Sequence, residues 1–473
     1  MKRATVGWVV GILLLVVSSG SIAQVSQVHL GWSENDVYTT MTVMWFSPMG
    51  GNQRVFYDEV SHNSATGYAY QQQGVAHTIH PTHAPNGQPI TTTAFSGNYY
   101  RAELTGLKPG TTYYFRIKGT GPSGTTQEWS FRTIASGQVA SFAFTGDSQR
   151  PFETPEGEMG QLLSKPAAPA NWPYMRDFLT SVIADEEPDF MLALGDIVCR
   201  GNIQAQWDHW FDAWQEHAVT DCGRMIPIVP LVGNHDMSGY PNVDASYEWF
   251  LGQFAIPQPV PGIPCYALDF PNLHLTVLAA TSGQVASDWG KAQAEAQAQT
   301  NWLTLDLAAS SAPWKIVAFH YNYMGCFASC TGYPSDCYMQ AWTPALESSD
   351  VDMVFMGHVH NYTRSWPVDL AYDGACQGSD CGVELESSSE DGITYIVSGT
   401  WGGPTNAIVA GTPCQLRPWI AAAAGHPSVG IVHVYPGTLG VSLLDTTGAM
   451  LDTFTLPYTA SGFPTPSYVQ MIP

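Results

Sequence analysis

The sequence predicts two domains of different class, an all-β sandwich followed by a layered α/β fold. Residues 25–134 carry short alternating apolar stretches without a helical period. From residue 138 to about 460, short apolar runs alternate with helical segments. Five of those later runs end in a residue able to bind a metal ion.

Composition narrows the function classes. With 473 residues, 45% of them hydrophobic, and 16 Trp, 22 Tyr and 19 Phe, the chain can bury a large core. Seventeen Lys and Arg against 40 Asp and Glu give a formal net charge of -23. That balance argues against general nucleic-acid binding and against docking on anionic membranes. A phosphate-bearing substrate would have to be drawn in locally, for example by bound cations.

Lys2 and Arg3 precede an apolar run from Val6 to Val17, and Ser21-Ile22-Ala23 fits a cleavage site. Residues 1–23 therefore read as a signal peptide. No later run is long enough to span a membrane, so a secreted or periplasmic protein is expected. An oxidising compartment favours disulfides over a zinc site at Cys326, Cys330 and Cys337, and at Cys376 and Cys381. The total of nine cysteines leaves at least one without an intrachain partner.

In the first domain, Thr40 to Trp45 alternates, with Met41, Val43 and Trp45 on one face. Tyr99–Leu104 and Tyr113–Lys118 are further strands. Between them, Leu107-Lys108-Pro109-Gly110-Thr111-Thr112-Tyr113 resembles the tyrosine corner of fibronectin type III sandwiches, where the phenol ties back to the backbone. Tyr68, Tyr70, Tyr99 and Tyr100 read as core or cross-strand pairs rather than a binding strip. His62, His77, His80 and His83 have no ligand spacing and read as surface groups. A partner or surface contact through this domain stays open.

A polar linker, Thr133 to Gln138, marks the boundary. Beyond it, Met175–Ala184 and Ala292–Leu307 read as helices, and 365–389 as a polar loop closed by cysteines. Ile431–Leu456 returns to strand alternation, with turns at Pro436-Gly437 and Thr447-Gly448.

The chemistry lies at the ends of the five runs. They lead into Gly146-Asp147-Ser148-Gln149, Gly195-Asp196, Gly233-Asn234-His235-Asp236, His320 and Gly357-His358-Val359-His360. In α/β sheets ligands gather beyond the carboxyl ends of the strands. Carboxylates and an amide oxygen suit Mn, Mg or Fe, and imidazole suits Zn, Fe and Mn. A carboxylate between two ions can bridge them, and a water between them becomes a hydroxide at moderate pH. The preceding glycines would allow sharp turns off the strands.

This ordered set resembles the calcineurin-like metallophosphoesterases. The fibronectin-like domain in front, and the run GHVHNYTR from Gly357 to Arg364, look like purple acid phosphatases. The resemblance covers residues 25 to 460. It implies a four-layer sandwich of two sheets flanked by helices, and two metal ions, divalent or mixed-valence, from Mn, Fe or Zn. By the same resemblance Asp147 and His360 bind the first ion, Asp196 bridges, and Asn234, His320 and His358 bind the second. By the same resemblance His235 and Asp236 are the catalytic candidates, His235 stabilising the transition state or protonating the leaving oxygen with Asp236 nearby.

Three departures stand out. The purple enzymes carry a tyrosine three positions after the second Asp, where this chain has Cys199. A thiolate ligand fits an oxygen-rich set poorly, so a small buried residue or a disulfide partner is favoured, without the tyrosinate colour. Gln149 stands where other members of the superfamily have His. Either its amide oxygen binds the first ion, or the side chain only hydrogen-bonds a water there. The substrate-contacting histidines of the purple pattern are missing from Tyr321 to Gln340. Tyr321, Asn322 and Tyr323 become the candidate substrate contacts. Arg364 either joins them, steadies the His-x-His loop or makes a surface salt bridge.

The expected function is hydrolysis of a small phosphomonoester by a metal-bound hydroxide. The alternatives are a phosphodiesterase or nucleotidase on the same scaffold, or a non-catalytic secreted binding protein with a degraded first metal site.

Overall fold

Alternating stretches in the first domain pair into two antiparallel sheets. In chain order the strands are β1 (Ser26–Gly31), β2 (Met41–Ser47), β3 (Arg54–Asp58), β4 (Tyr70–Gln73), β5 (Val75–His77), β6 (Asn98–Leu104), β7 (Thr112–Lys118) and β8 (Trp129–Arg132). The sheets run β1-β2-β6-β5 and β4-β3-β7-β8. Met41, Val43 and Trp45 are buried as the alternation predicts, and Trp45 stacks on Tyr100 at 5.5 Å. The tyrosine corner forms: the Lys108 backbone N–H donates to Tyr113 Oη over 2.9 Å. Tyr70 stacks on Tyr57, Tyr68 donates to Glu128, and Tyr99 donates to Asp208, so these tyrosines are engaged within the fold.

The structure is a computed structural model that describes residues 25–48, 50–64, 66–77, 98–118, 125–149, 175–237, 247–281, 289–322, 335–371, 384–385, 392–403, 405, 419–457 and 470–471. The signal-peptide segment, His80, His83, Tyr323, Cys326, Cys330, Cys376 and Cys381 lie outside the described residues. Within them, Cys222 and Cys265 are unpaired thiols.

The second part follows with β9 (Ala140–Thr145), α1 (Met175–Asp185), β10 (Phe190–Ala193), α2 (Gln204–His217), β11 (Ile228–Pro230), α3 (Glu248–Gln253), β12 (Tyr266–Phe270) and β13 (Leu273–Val277). Then come α4 (Trp289–Ala309), β14 (Trp314–Phe319), α5 (Ser335–Ser348), β15 (Met353–Met356), β16 (Tyr362–Ser365), β17 (Leu370–Ala371) and β18 (Glu384–Leu385). The last strands are β19 (Thr394–Ser398), β20 (Ile420–Ala424), β21 (Ser428–Val434), β22 (Thr438–Asp445), β23 (Met450–Pro457) and β24 (Gln470–Met471).

Two large sheets face each other. One has the order β11-β10-β9-β21-β22-β23, the other β12-β13-β14-β15-β19-β16-β20-β24. Strands β9, β10 and β11 run parallel, as do β13, β14, β15 and β19. The runs Phe190–Ala193 of β10 and Met353–Met356 of β15 are unbroken because both faces are covered, whereas β13 keeps His274 and Thr276 and β14 keeps Lys315. Met353 and Phe355 of β15 point between the sheets, while Val354 and Met356 point outward beneath α4 and α5. Across the interior, the Phe355 ring meets Phe144 at 4.5 Å and Phe142 at 5.9 Å. Leu303, Leu307, Trp342 and Leu346 of α4 and α5 cover the outer face of the larger sheet. Helix α1 packs on α2 and on β21 of the smaller one. The result is the layered order helix, sheet, sheet, helix.

Helix α2 escaped the sequence reading, although Trp207, Trp210, Phe211 and Trp214 recur at helical spacing and are all buried. It also packs on β1, joining the two parts. There His29 is sandwiched between the carbonyls of Gln27 (2.7 Å) and Gln253 (3.1 Å), with its ring 4.1 Å from Phe211. Burial depresses its pKa to about 4 despite both carbonyls.

Candidate metal centre

The parallel strands bring their carboxyl ends to one edge of the sandwich. Asp147 follows β9, Asp196 follows β10, Asn234 follows β11, His320 follows β14, and His358 and His360 follow β15. Seven non-glycine residues have positive φ among those described, and three of them are Asp147 (63°), Asp196 (50°) and His358 (68°). Side chains in that conformation are held there at a cost of about 1–3 kcal/mol each, which marks sites where the surroundings dictate geometry. The turn thus falls on the ligands themselves and, before Asp196, also on Gly195 (80°). Among the preceding glycines, Gly233 and Gly357 serve close approach instead. A Cβ on Gly357 would lie 2.4 Å from the Leu194 carbonyl and 2.9 Å from Asp147 Oδ2, and one on Gly233 would lie 2.2 Å from Asp196 Oδ1.

The donor atoms converge. His320 Nε2 lies 3.2 Å from Asp196 Oδ2, and His360 Nε2 lies 3.2 Å from Asp147 Oδ1. His358 Nδ1 lies 3.0 Å from Asn234 Oδ1. Asp196, His320 and His358 can each direct one ligand atom to a common point. His320 Nδ1 donates to the Leu194 carbonyl at 2.7 Å, because a carbonyl can only accept. Neutral His320 would then aim a lone pair at a carboxylate oxygen, an arrangement that calls for a cation between them.

Charge shifts carry the same message. Asp196 is fully buried, yet facing His320, His235 and His358 hold its carboxyl below the usual range. Burial pushes His320 down, but Asp196 and Asp147 outweigh it and raise it to about 9. Without an ion, the His320 proton supplies the positive charge that the buried carboxylates need. Burial and neighbouring His320 depress His358 to about 3, so it stays a neutral donor. Asp147 Oδ1, Gln149 Oε1, Asn234 Nδ2 and His320 Nε2 are buried without a hydrogen bond. Buried polar atoms left in this way are rare in proteins, and their clustering among oxygen and imidazole donors fits a pair of hard or borderline ions.

Individual residues depart from expectation. Gln149 turns its amide nitrogen inward, to Asp196 Oδ2 at 3.1 Å and His360 Nε2 at 3.2 Å. A half-turn of that amide would present its oxygen to the first ion position instead. His235 donates from Nδ1 to the Cys199 carbonyl at 2.8 Å, which fixes the ring and makes Nε2 its other working nitrogen. Cys199, half-buried, therefore serves the site through its main chain.

Asp236 is corrected from a catalytic to a positioning residue. It is fully buried and accepts backbone N–H groups from Ile197 (2.8 Å), Val198 (3.0 Å) and Gly233 (2.8 Å). Burial and the neighbouring Asp196 raise its pKa to about 8. It binds the Asp196 loop to the Asn234 loop and cannot reach a substrate.

Arg364 is corrected as well. Its guanidinium is buried and paired with both Asp452 oxygens (2.9 and 3.2 Å) and lies over Phe454, while Tyr362 donates to Asp452. It ties β16 to β23 and is neither a substrate contact nor a surface pair. Tyr321 and Asn322 are almost fully buried, and the Tyr321 ring lies edge-on to His358 at 4.6 Å. One segment was missed altogether: Gly399 to Gly403, after β19, runs directly behind Asp147. An apolar run ending in glycines was the available signal.

Comparison with known proteins agrees with this fold. Residues 140–362 match the calcineurin-like phosphoesterase family, and residues 25–133 match the N-terminal domain of purple acid phosphatases. Purple acid phosphatase 15 of Arabidopsis thaliana is 25% identical over 285 residues, covering 57% of this chain and 50% of that protein. An uncharacterized protein of Mycobacterium tuberculosis is 28% identical over 339 residues, covering 67% and 60%. The chain thus spans half to three-fifths of the length of these relatives. A purple acid phosphatase from yellow lupin seeds (Lupinus luteus) has the same fold, with a TM-score of 0.67 at 16% identity, covering 92% of this chain and 74% of that one. The structure of PhoD gives 0.60 at 12% identity, covering 94% and 92%. The chain carries a calcineurin-like phosphoesterase domain over residues 140–362, preceded over residues 25–133 by the N-terminal domain of the purple acid phosphatases.

Proposed function

We propose that this protein is a two-metal phosphoesterase acting on phosphomonoesters. The observation that carries the reading is the convergence of Asp147, Asp196, Asn234, His320, His358 and His360 from five strand ends, with donor atoms 3.0–3.2 Å apart. Asp147 and His360, with Gln149, would hold the first ion; Asn234, His320 and His358 the second; Asp196 both. Bound there, ions of Mn, Fe or Zn supply charge neutralisation at the phosphoryl oxygens and acidify the attacking water.

The protein's own groups do the rest. The Cys199 carbonyl fixes His235 so that Nε2 can hold a proton for the leaving oxygen. Asp236 keeps the Asp196 and Asn234 loops in register. Tyr321 braces His358 from the side. Export is part of the proposal and rests on Lys2, Arg3, the apolar run and Ser21-Ile22-Ala23.

The test is turnover of p-nitrophenyl phosphate against its bis-ester, with Mn, Zn, Fe and Mg added singly to metal-free protein. A higher kcat/KM for the monoester supports the reading. A higher value for the diester moves the protein to the phosphodiesterases, and no turnover with any ion on either ester overturns the enzymatic reading for simple esters.

A further inference from the structure

We propose that Trp401 is a positioning residue for the first ion, acting through the glycine-rich segment 399–403 and touching neither ion nor substrate. The proposal rests on reading Asp147, Gln149 and His360 as the first-ion residues.

Beyond β19 the backbone crosses behind Asp147 and is bonded to it on both sides. Gly146 N–H donates to the Ser398 carbonyl (2.8 Å), Trp401 N–H to the Gly146 carbonyl (2.8 Å) and Gly403 N–H to the Asp147 carbonyl (2.9 Å). The approach is as close as backbone allows. A Cβ on Gly399 would lie 2.7 Å from Asp147 Oδ2, and one on Gly403 would lie 2.5 Å from the Asp147 carbonyl and 3.5 Å from His360 Cε1. This segment is therefore the back wall of the first ion position. Three of its five residues are glycine, which gives it much conformational freedom to lose. Its remaining side chains, Thr400 and Trp401, must fix it. Thr400 Oγ1 donates to the Ser428 carbonyl at 3.0 Å.

Trp401 is the larger anchor. Its buried indole stands edge-on to Trp210 (5.6 Å, 89°) and Trp214 (5.9 Å, 82°), which stack on each other at 5.4 Å. Its Nε1 donates to Thr180 Oγ1 of α1 at 3.3 Å. Trp210 reaches the other flank of the same ligand. Its Nε1 donates to Ser148 Oγ at 3.0 Å, and Ser148 Oγ donates to the Ile197 carbonyl at 3.0 Å. One aromatic cluster thus holds both the residue after Asp147 and the wall behind it. Nothing in the cluster titrates, so its contribution is geometric. Groups that orient ligands from behind typically change metal affinity by about 10–100-fold.

The experiment titrates metal-free protein with Mn²⁺, read by calorimetry and by electron paramagnetic resonance. Wild type is expected to take up two ions and show the signal of a spin-coupled pair. Trp401→Leu is expected to keep one ion at wild-type affinity, to bind the other at least about tenfold more weakly, and to show the six-line signal of an isolated Mn²⁺. Trp401→Phe keeps the ring contact and is expected to restore the coupled signal. Wild-type affinity for both ions in Trp401→Leu, or equal weakening of both, overturns the proposal. Fewer than two ions in wild type overturns the metal reading beneath it. Should Trp401→Leu not fold, Gly403→Ala leaves the indole cluster intact and presses on Asp147. It is expected to lose the same single ion, and wild-type binding of both there overturns the proposal.

Discussion

The backbone N–H of His358 donates to Asp147 Oδ2 over 2.9 Å, and that bond joins the ligand-bearing ends of the two large sheets. Asp147 leaves β9 and His358 leaves β15, both in left-handed backbone conformations. The two sheets are packed through Phe142, Phe144 and Phe355 a few residues below. Packing in the interior therefore sets the distance between ligands that belong to different sheets. This explains how loops with strained residues can still present their donor atoms reproducibly.

Gly357 has no room for a side chain. Gly357→Ala would push on the Leu194 carbonyl, Asp147 Oδ2 and His320 Nδ1 together. Metal affinity is expected to fall at least about tenfold, with far-UV circular dichroism unchanged, as read by titration of the metal-free variant.

Asp236 is expected to matter for stability. Asp236→Ala leaves three buried N–H groups without their acceptor. Each such loss costs about 1–3 kcal/mol, so urea denaturation should show a decrease of at least about 3 kcal/mol. A variant of unchanged stability would contradict the clamp assigned to it.

Much of this was legible in the sequence, for identifiable reasons. The runs before Asp147, Asp196 and His320 are buried on both faces, so unbroken apolarity followed by a ligand type showed the strand ends. Ile431–Leu456 resolved into β21, β22 and β23 because turn residues punctuated the alternation. What failed were questions of direction. Adjacent His235 and Asp236 look equally chemical in sequence, but one faces the site and the other the backbone of the Asp196 loop. Arg364 follows the His-x-His motif closely, yet its partner Asp452 is 88 residues away. Long-range pairing of that kind leaves no local pattern.

Acid should loosen the junction at His29. Its folded pKa, about 4, lies below the unfolded value of about 6.5, so the unfolded chain takes the proton first. The stability it contributes is complete above pH ~6.5 and is lost as pH falls through about 4, on the order of 3 kcal/mol in total. His29→Gln is expected to flatten the acid limb of the stability curve between those values, as measured by denaturant titration at several pH values.

Alkali should act at His274 with the opposite sign. It is nearly buried between Asp269 (2.7 Å) and Asp306 (3.0 Å), and Asn35 of the first domain bonds Asp269 in turn. Burial opposes its charge, but the two carboxylates raise its pKa to about 9. The stability it contributes is complete below pH ~6.5 and is lost as pH rises through about 9. Asp306→Asn is expected to lower Tm at pH 7 and to weaken its decline toward pH 10, as followed by thermal melts.

The proposed function requires that five strand ends build one site for two ions around Asp196. It is tested most directly by turnover of p-nitrophenyl phosphate as Mn²⁺ is added stepwise to metal-free protein, in wild type and in Asp196→Asn. Activity is expected to rise until two equivalents are bound in wild type. In the variant, losing the shared carboxylate should lower kcat/KM at least about a hundredfold, since such ions supply several kcal/mol of charge stabilisation. Turnover that is independent of added metal, or that survives in Asp196→Asn, would contradict it.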